Sequence, residues 1–195
     1  MSISLDAVKE IREKTGLGVM DCRKALEEAG GDKDKALEIL RLKGARMVEK
    51  KADRETKAGA VGSYIHLNGK IGVLIEINCE SDFVAKTDDF KELLKNLSLQ
   101  IAATNPAWLD REAVPQDILD EQKQIITEQH KGKPEKVLEK IVQGKQEDFF
   151  KQNVLLDQLF IKDDSKTIKG YVGEKVAKLG ENIKVRRFVR FELNN

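Results

Sequence analysis

The chain has 195 residues, with 35 Lys+Arg against 34 Asp+Glu, so charge is abundant (35% of residues) while the formal net charge is only +1. That balance excludes a protein held on nucleic acid by a global basic excess, and any basic patch must be local. No run approaches the roughly 18 apolar residues of a membrane span, and the start, MSISLDAVKEIREK, turns charged too early for a secretory signal, so a soluble cytoplasmic protein is expected.

The first fifty residues read as a small helical domain. Ser4 caps a helix carrying Leu5, Val8 and Ile11 at helical spacing, and Thr15-Gly16-Leu17-Gly18 stops it. Cys22, Ala25, Leu26 and Ala29 form the stripe of a second helix. Gly30-Gly31 breaks the chain, and Asp32 caps a third helix through Ala36, Leu37, Ile39 and Leu40. The run KGARMVEKKADRETK, Lys43 to Lys57, is charged and nearly free of large apolar residues, which predicts a helix tail and then a linker over 51–58. Glu49, Asp53 and Glu55 dilute its lysines, favouring a solvated face over an RNA-binding stripe.

From residue 59 to 195 the period changes. Ala60 to Leu67 and Ile71 to Ile77 flank Asn68-Gly69, a strong hairpin turn. Thr87 caps a helix with Phe90, Leu93, Leu94, Leu97 and Ile101, ending at Asn105-Pro106. Helical stretches over Gln116–His130 and Pro134–Gln152, split by Lys131-Gly132-Lys133-Pro134, are expected to pair antiparallel. Leu159-Phe160-Ile161 reads as a short strand, Thr167 to Leu179 as a helix stopped by Gly180, and Ile183 to Leu193 as a strand. In that strand Ile183, Val185, Val189, Phe191 and Leu193 are expected to share one face. The fold class is therefore α+β: a three-helix domain, then a core of antiparallel sheet and packed helices that includes a helical hairpin, not the repeated βα alternation of a doubly wound sheet.

Motifs for covalent chemistry are missing. The sequence has no GxxxxGK[ST], no GxGxxG and no HExxH. Asp88-Asp89 and Asp163-Asp164 are expected to be solvated or at helix starts in so charged a chain, and Cys22, Cys79, His66 and His130 lack close zinc-ligand spacing. No catalytic residue, metal or cofactor is expected. Two places stand out instead. At Cys79-Glu80-Ser81-Asp82-Phe83-Val84-Ala85-Lys86 a strand meets a helix: Ser81 caps, Asp82 favours the helix start, and Phe83 either tucks into the core, the commoner fate of an aromatic, or forms a binding tip. Cys79 reads as a packed small hydrophobe, not a nucleophile. At Leu17-Gly18-Val19-Met20, with Arg12 beside it, a short apolar turn either completes the bundle core or forms a small contact patch.

VKEIREKTGLGVMDCRKAL (Val8 to Leu26) with the helix KALEILRLKGA resembles the amino-terminal domain of bacterial translation elongation factor Ts. INCESDFVAK (Ile77 to Lys86) resembles that family's Asp-Phe-Val signature, and DQLFIKDDSKTIKGYV (Asp157 to Val172) its carboxy-terminal region; the three matches keep the family's order. The resemblance implies a ubiquitin-associated-type three-helix domain, an α+β core, and guanine nucleotide exchange on elongation factor Tu, bound in its GDP form and free of nucleotide. It implies that Ser81, Asp82, Phe83 and Val84 meet that partner and dislodge its magnesium, which reverses the core reading of Phe83. It likewise implies contacts from Arg12, Val19 and Met20. Val19 stands where Met is common, Ser81 replaces a usual Thr, and Leu159 replaces a usual Pro, leaving the local turn there open. A single core unit in so short a chain implies a homodimer, with Ile183 to Leu193 as a symmetric edge. The other reading is an adaptor that binds a partner through the helical domain without promoting exchange.

Overall fold

The computed structural model describes residues 3–193. The chain divides into two compact units, one of residues up to Val61 with Glu76–Leu94 and Gly170–Arg186, the other of Gly62–Ile75, Lys95–Lys169 and residues from Arg187 onward.

The first unit opens with three helices, α1 (Leu5–Thr15), α2 (Val19–Glu28) and α3 (Lys33–Lys51). Their ends are set by local chemistry. The Ser4 hydroxyl accepts the Asp6 N–H at 3.2 Å, Asp32 Oδ1 accepts the N–H groups of Asp34 and Lys35, and Gly16 closes α1 at φ 67°. Their apolar stripes then converge: Val8 and Ile11, Cys22, Ala25 and Leu26, Ala36 and Leu40 form one buried cluster, with Leu17 packed against it. Burial of each larger side chain there stabilises by about 1.5–3 kcal/mol.

Helix α3 runs past this cluster. Gly44 lies close to Ala177, and Val48 to Gly173, both on α8 (Ile168–Leu179), so small residues on each helix let the tail of α3 approach α8. The same unit holds the start of α5 (Asp88–Thr104). Lys175 of α8 is buried and donates to Asp89 at 2.8 Å and Glu92 at 2.7 Å, while Lys178 donates to Asp89 at 2.7 Å. Burial pulls the Lys175 ammonium down, yet its two carboxylate partners outweigh this and leave it raised. Lys175, and then Lys178, hold the Asp89 carboxyl below its usual range. A buried charge persists only when paired in this way.

β1 (Ala58–Ile65) and β2 (Ile71–Cys79) form the hairpin expected around Asn68-Gly69, with Gly69 at φ 68° and the His66 N–H donating to the Ile71 carbonyl at 2.9 Å. β5 (Ile183–Glu192) completes a three-stranded sheet of order β1-β2-β5, antiparallel in that the Leu193 N–H reaches the Lys70 carbonyl at the start of β2. Val73, Ile75, Ile77 and Cys79 fill the buried face of β2, and Phe90, Leu93, Leu97 and Ile101 the apolar stripe of α5. Together the helical opening and this sheet with packed helices make the α+β class predicted from the pattern.

In the second unit α6 (Gln116–Gln129) and α7 (Glu135–Asn153) pack on each other. At their base Val114, Phe150 and Val154 bury against Trp108 and Phe149. Arg111 lies 4.5 Å over the Phe150 ring, grips both oxygens of Glu147 at 2.8 Å, and donates to Asp157 at 2.9 Å. β3 (Leu159–Phe160) pairs antiparallel with β4 (Asp163–Thr167). The buried Gln100 amide donates to the Leu159 carbonyl and accepts the Ile161 N–H, so the chain at Leu159 is held by its backbone.

The structure adds one element and corrects one expectation. β4, DDSKT, has no apolar alternation to announce it. In β5 the face assignment changes phase: Ile183 is buried, Arg186 and Arg187 are both exposed, and beyond them Phe188 and Arg190 are half-buried while Val189 and Phe191 face outward. Arg190 Nε donates to the Ala102 carbonyl of α5, which fixes the inward side of that half. The odd positions therefore do not share one face along the whole strand.

Candidate functional site

β2 delivers the chain to Glu80 and Ser81, and a single helical turn, α4 (Asp82–Ala85), leads into α5. So short a helix cannot hold itself, because nucleation fixes more dihedrals than it gains bonds. Its ends are instead fastened from outside. The extended Ser81 accepts the Val84 N–H on its hydroxyl at 3.4 Å, and Thr87 donates to the Val84 carbonyl at 2.7 Å while accepting the Phe90 N–H at 3.3 Å.

The turn sorts its two apolar side chains oppositely. Val84 is only 4% exposed and anchors the turn, whereas Phe83 is 81% exposed beside the exposed Asp82. The core reading of Phe83 is overturned, and the apolar residue that enters the core is its neighbour. Val84, named from the resemblance among the contact residues, has its side chain turned inward. Leaving an aromatic ring in water forgoes roughly 2 kcal/mol of burial.

A loop far away in sequence supports this turn. Glu181 accepts the Ser81 N–H at 3.0 Å on one carboxylate oxygen and the Ser81 hydroxyl at 2.6 Å on the other. The Asn182 N–H donates to Glu80 at 2.6 Å, and its buried amide donates to the carbonyls of Ala52 and Arg54 just beyond α3. Lys51, the last residue of α3, donates to the Gly180 carbonyl. The Asn182 N–H and then the Arg54 guanidinium hold the Glu80 carboxyl below its usual range. Neither Glu181 nor Asn182 was singled out from the sequence, because Gly-Glu-Asn after a helix reads only as a loop.

Cys79 sits behind the turn, fully buried, donating to the Ser81 carbonyl at 3.2 Å. Burial, and then the nearby charge of Glu181, push its thiol up, so it is a packed residue and a poor nucleophile. On the helical domain, Leu17 joins the bundle core while Val19 and Met20, opening α2, stay 48% and 61% exposed; Arg12 is exposed on α1. Of the apolar turn, Leu17 alone therefore completes the bundle core. Among the described residues no three His, Cys, Asp or Glu side chains converge on a metal site, and no helix is long and apolar enough to cross a membrane.

The model of the family described as elongation factor TS matches residues 33–195. Among curated relatives, elongation factor Ts of Thermotoga petrophila is 54% identical over 193 residues, covering 99% of this chain and 97% of its own length. Those of Fervidobacterium nodosum and Thermodesulfovibrio yellowstonii are each 55% identical, covering 99% of this chain and 99% and 97% of their own lengths. With a family model over residues 33–195 and relatives more than half identical over nearly the whole of both chains, the chain belongs to the elongation factor Ts family.

Proposed function

We infer that the chain releases GDP from elongation factor Tu by pressing Phe83 into the partner's magnesium and phosphate site. Membership of the family makes the chain a guanine nucleotide exchange factor for elongation factor Tu, not an enzyme of covalent chemistry. Exchange of this kind needs only coupling: a factor that weakens nucleotide binding to a shared partner is itself weakened by the nucleotide, and so leaves when GTP enters. The observation that carries the reading is the 81% exposure of Phe83 on a turn fastened at both ends. A bound magnesium ion offsets the phosphate charge of GDP, so moving it loosens the nucleotide. Asp82 contributes charge beside the ring, and Ser81 and Val84 hold the turn.

Arg12, Val19 and Met20 provide the second contact, on a three-helix domain of ubiquitin-associated type spanning residues 1–50. A linker over 51–58 and a core over 59–195, with α6 and α7 as its helical hairpin, complete the division. In this reading the chain acts in the cytoplasm, taking up both GDP-bound and nucleotide-free elongation factor Tu without contacting nucleic acid. Fluorescent-GDP release followed by stopped flow tests the route. The acceleration by this chain is expected to shrink several-fold once EDTA has removed magnesium; an equal acceleration with and without magnesium sinks the displacement reading. An adaptor without exchange activity predicts binding and no acceleration at all.

A second copy of this chain is proposed to cover the outer face of the sheet. Ile65 lies over Gly72, on the same face as Leu74, and Val189 and Phe191 of β5 are exposed. Phe191 is 67% exposed, an unusual position for an aromatic on a lone sheet face. Sedimentation at micromolar concentration is expected to give a dimer, and Phe191→Lys a monomer; a wild-type chain that stays monomeric rules the interface out.

A further inference from the structure

We propose that Glu181 is a positioning residue for nucleotide exchange, which fixes the Ser81 cap and thereby the aim of Phe83; this rests on Phe83 being the element that acts on the partner. The geometry is specific. Both oxygens of one carboxylate are taken by one residue, the Ser81 N–H at 3.0 Å and its hydroxyl at 2.6 Å, across a hundred positions of sequence. Bonds to an ionised acceptor are shorter and stronger than neutral ones, and two of them on one residue fix its orientation as well as its place.

The Ser81 hydroxyl has one proton and donates it in a hydrogen bond to Glu181, which turns the oxygen's lone pairs toward the turn, where one accepts the Val84 N–H. Removing the carboxylate frees the hydroxyl to rotate and leaves the Ser81 N–H without that acceptor. A one-turn helix has little cooperativity of its own to resist the change. Val84 still prefers the core, so the turn is not expelled; it pivots, and Phe83 at its exposed edge samples a wider arc.

The neighbouring contacts limit the damage to this pivot. Gly180 stays in place through its N–H bond to Val176 at the end of α8, and the buried Asn182 amide still holds Ala52 and Arg54. Arg12, Val19 and Met20 lie on α1 and α2, which are held by the buried three-helix cluster that includes Ile11, Leu26 and Leu40 and not by Glu181. Loss of Glu181 therefore acts on the step Phe83 performs more than on capture of the partner.

The test is stopped-flow release of fluorescent GDP from elongation factor Tu over a range of factor concentrations, with Glu181→Ala, Glu181→Gln, Phe83→Ala and the double variant Glu181→Ala/Phe83→Ala. Glu181→Ala is expected to lower the limiting rate about tenfold while the half-saturating concentration stays within about twofold of wild type. Glu181→Gln, which keeps an acceptor for the Ser81 N–H, recovers most of the rate. The double variant is no slower than Phe83→Ala, because a misaimed residue that is absent has nothing left to lose. A wild-type limiting rate for Glu181→Ala beside a slow Phe83→Ala overturns the positioning role alone. So does a double variant whose losses multiply, since that marks a general loosening. A wild-type rate for Phe83→Ala overturns the role of the turn itself, and the positioning role with it.

Discussion

Replacing Phe83 by Ala is expected to lower the limiting rate of GDP release from elongation factor Tu by about 30- to 700-fold, with the urea midpoint of the chain almost unchanged. Truncating a buried aromatic anchor at an interface removes about 2–4 kcal/mol, and each 1.4 kcal/mol is tenfold. The stability half of the expectation follows from exposure: a side chain 81% in water contributes little packing, and surface substitutions usually fall within about 0.5 kcal/mol. Phe90 provides the contrast. It is fully buried in α5, and its replacement by Ala belongs to the class that costs about 3–5 kcal/mol. Two phenylalanines in one short stretch thus divide between function and fold. A Phe83→Ala chain that exchanges at the wild-type rate while still binding the partner refutes the assignment.

That division was only half legible. The caps at Ser4, Asp32 and Thr87 and the breaks at Gly16, Gly30-Gly31 and Asn68-Gly69 are local chemistry, readable because the residues that specify them are also the residues that carry them out. The same holds for the stripes of α1, α2 and α5, where period alone names the buried side chains. Phe83 against Val84 was not decidable in that way. Both are apolar, they are consecutive, and which one enters the core depends on the direction in which β2 leaves the sheet. Resemblance to a family supplied the answer that spacing did not. β4 was invisible because its five polar residues carry no alternation, and its pairing comes from β3 folding back on it. The phase change in β5 does leave a trace, the charged pair Arg186-Arg187 followed by the apolar pair Phe188-Val189, but apolar residues stand on both sides of the break, and which face is inward beyond it is set by packing on α5. Glu181 carries no local signal at all. Its partner, Ser81, is joined to it only by the tertiary path that brings the end of α8 beside the end of β2.

Gly59→Ala is expected to be the most destabilising exchange of one small residue for another in this chain, costing about 3 kcal/mol or more. Gly59 lies at φ 147°, which side chains rarely adopt. A Cβ there would stand 2.3 Å from the Ile77 carbonyl oxygen and 2.8 Å from the Asn78 Cα, both backbone atoms of β2. No rotamer change relieves a collision with backbone, so β1 must move off β2 or the strand must buckle. Backbone strain alone accounts for about 1–3 kcal/mol, and lost strand pairing adds to it. Gly69→Ala provides the contrast. At φ 68° it lies in the left-handed region that side chains can enter at a modest cost, with nothing within 4 Å of the added carbon, so it should cost only about 1–2 kcal/mol. The difference between them in urea unfolding reads the collision together with the harsher backbone conformation at Gly59. Exchange should follow the same order. Ile77 and Asn78 lead through Cys79 to Ser81, so a β2 pushed aside at Gly59 carries the base of the Phe83 turn with it, whereas the Asn68-Gly69 turn lies at the other end of the hairpin. Equal losses of stability from the two alanines, or a Gly59→Ala chain that unfolds and exchanges like wild type, would show that the close approach at Gly59 does not govern how the sheet presents the turn.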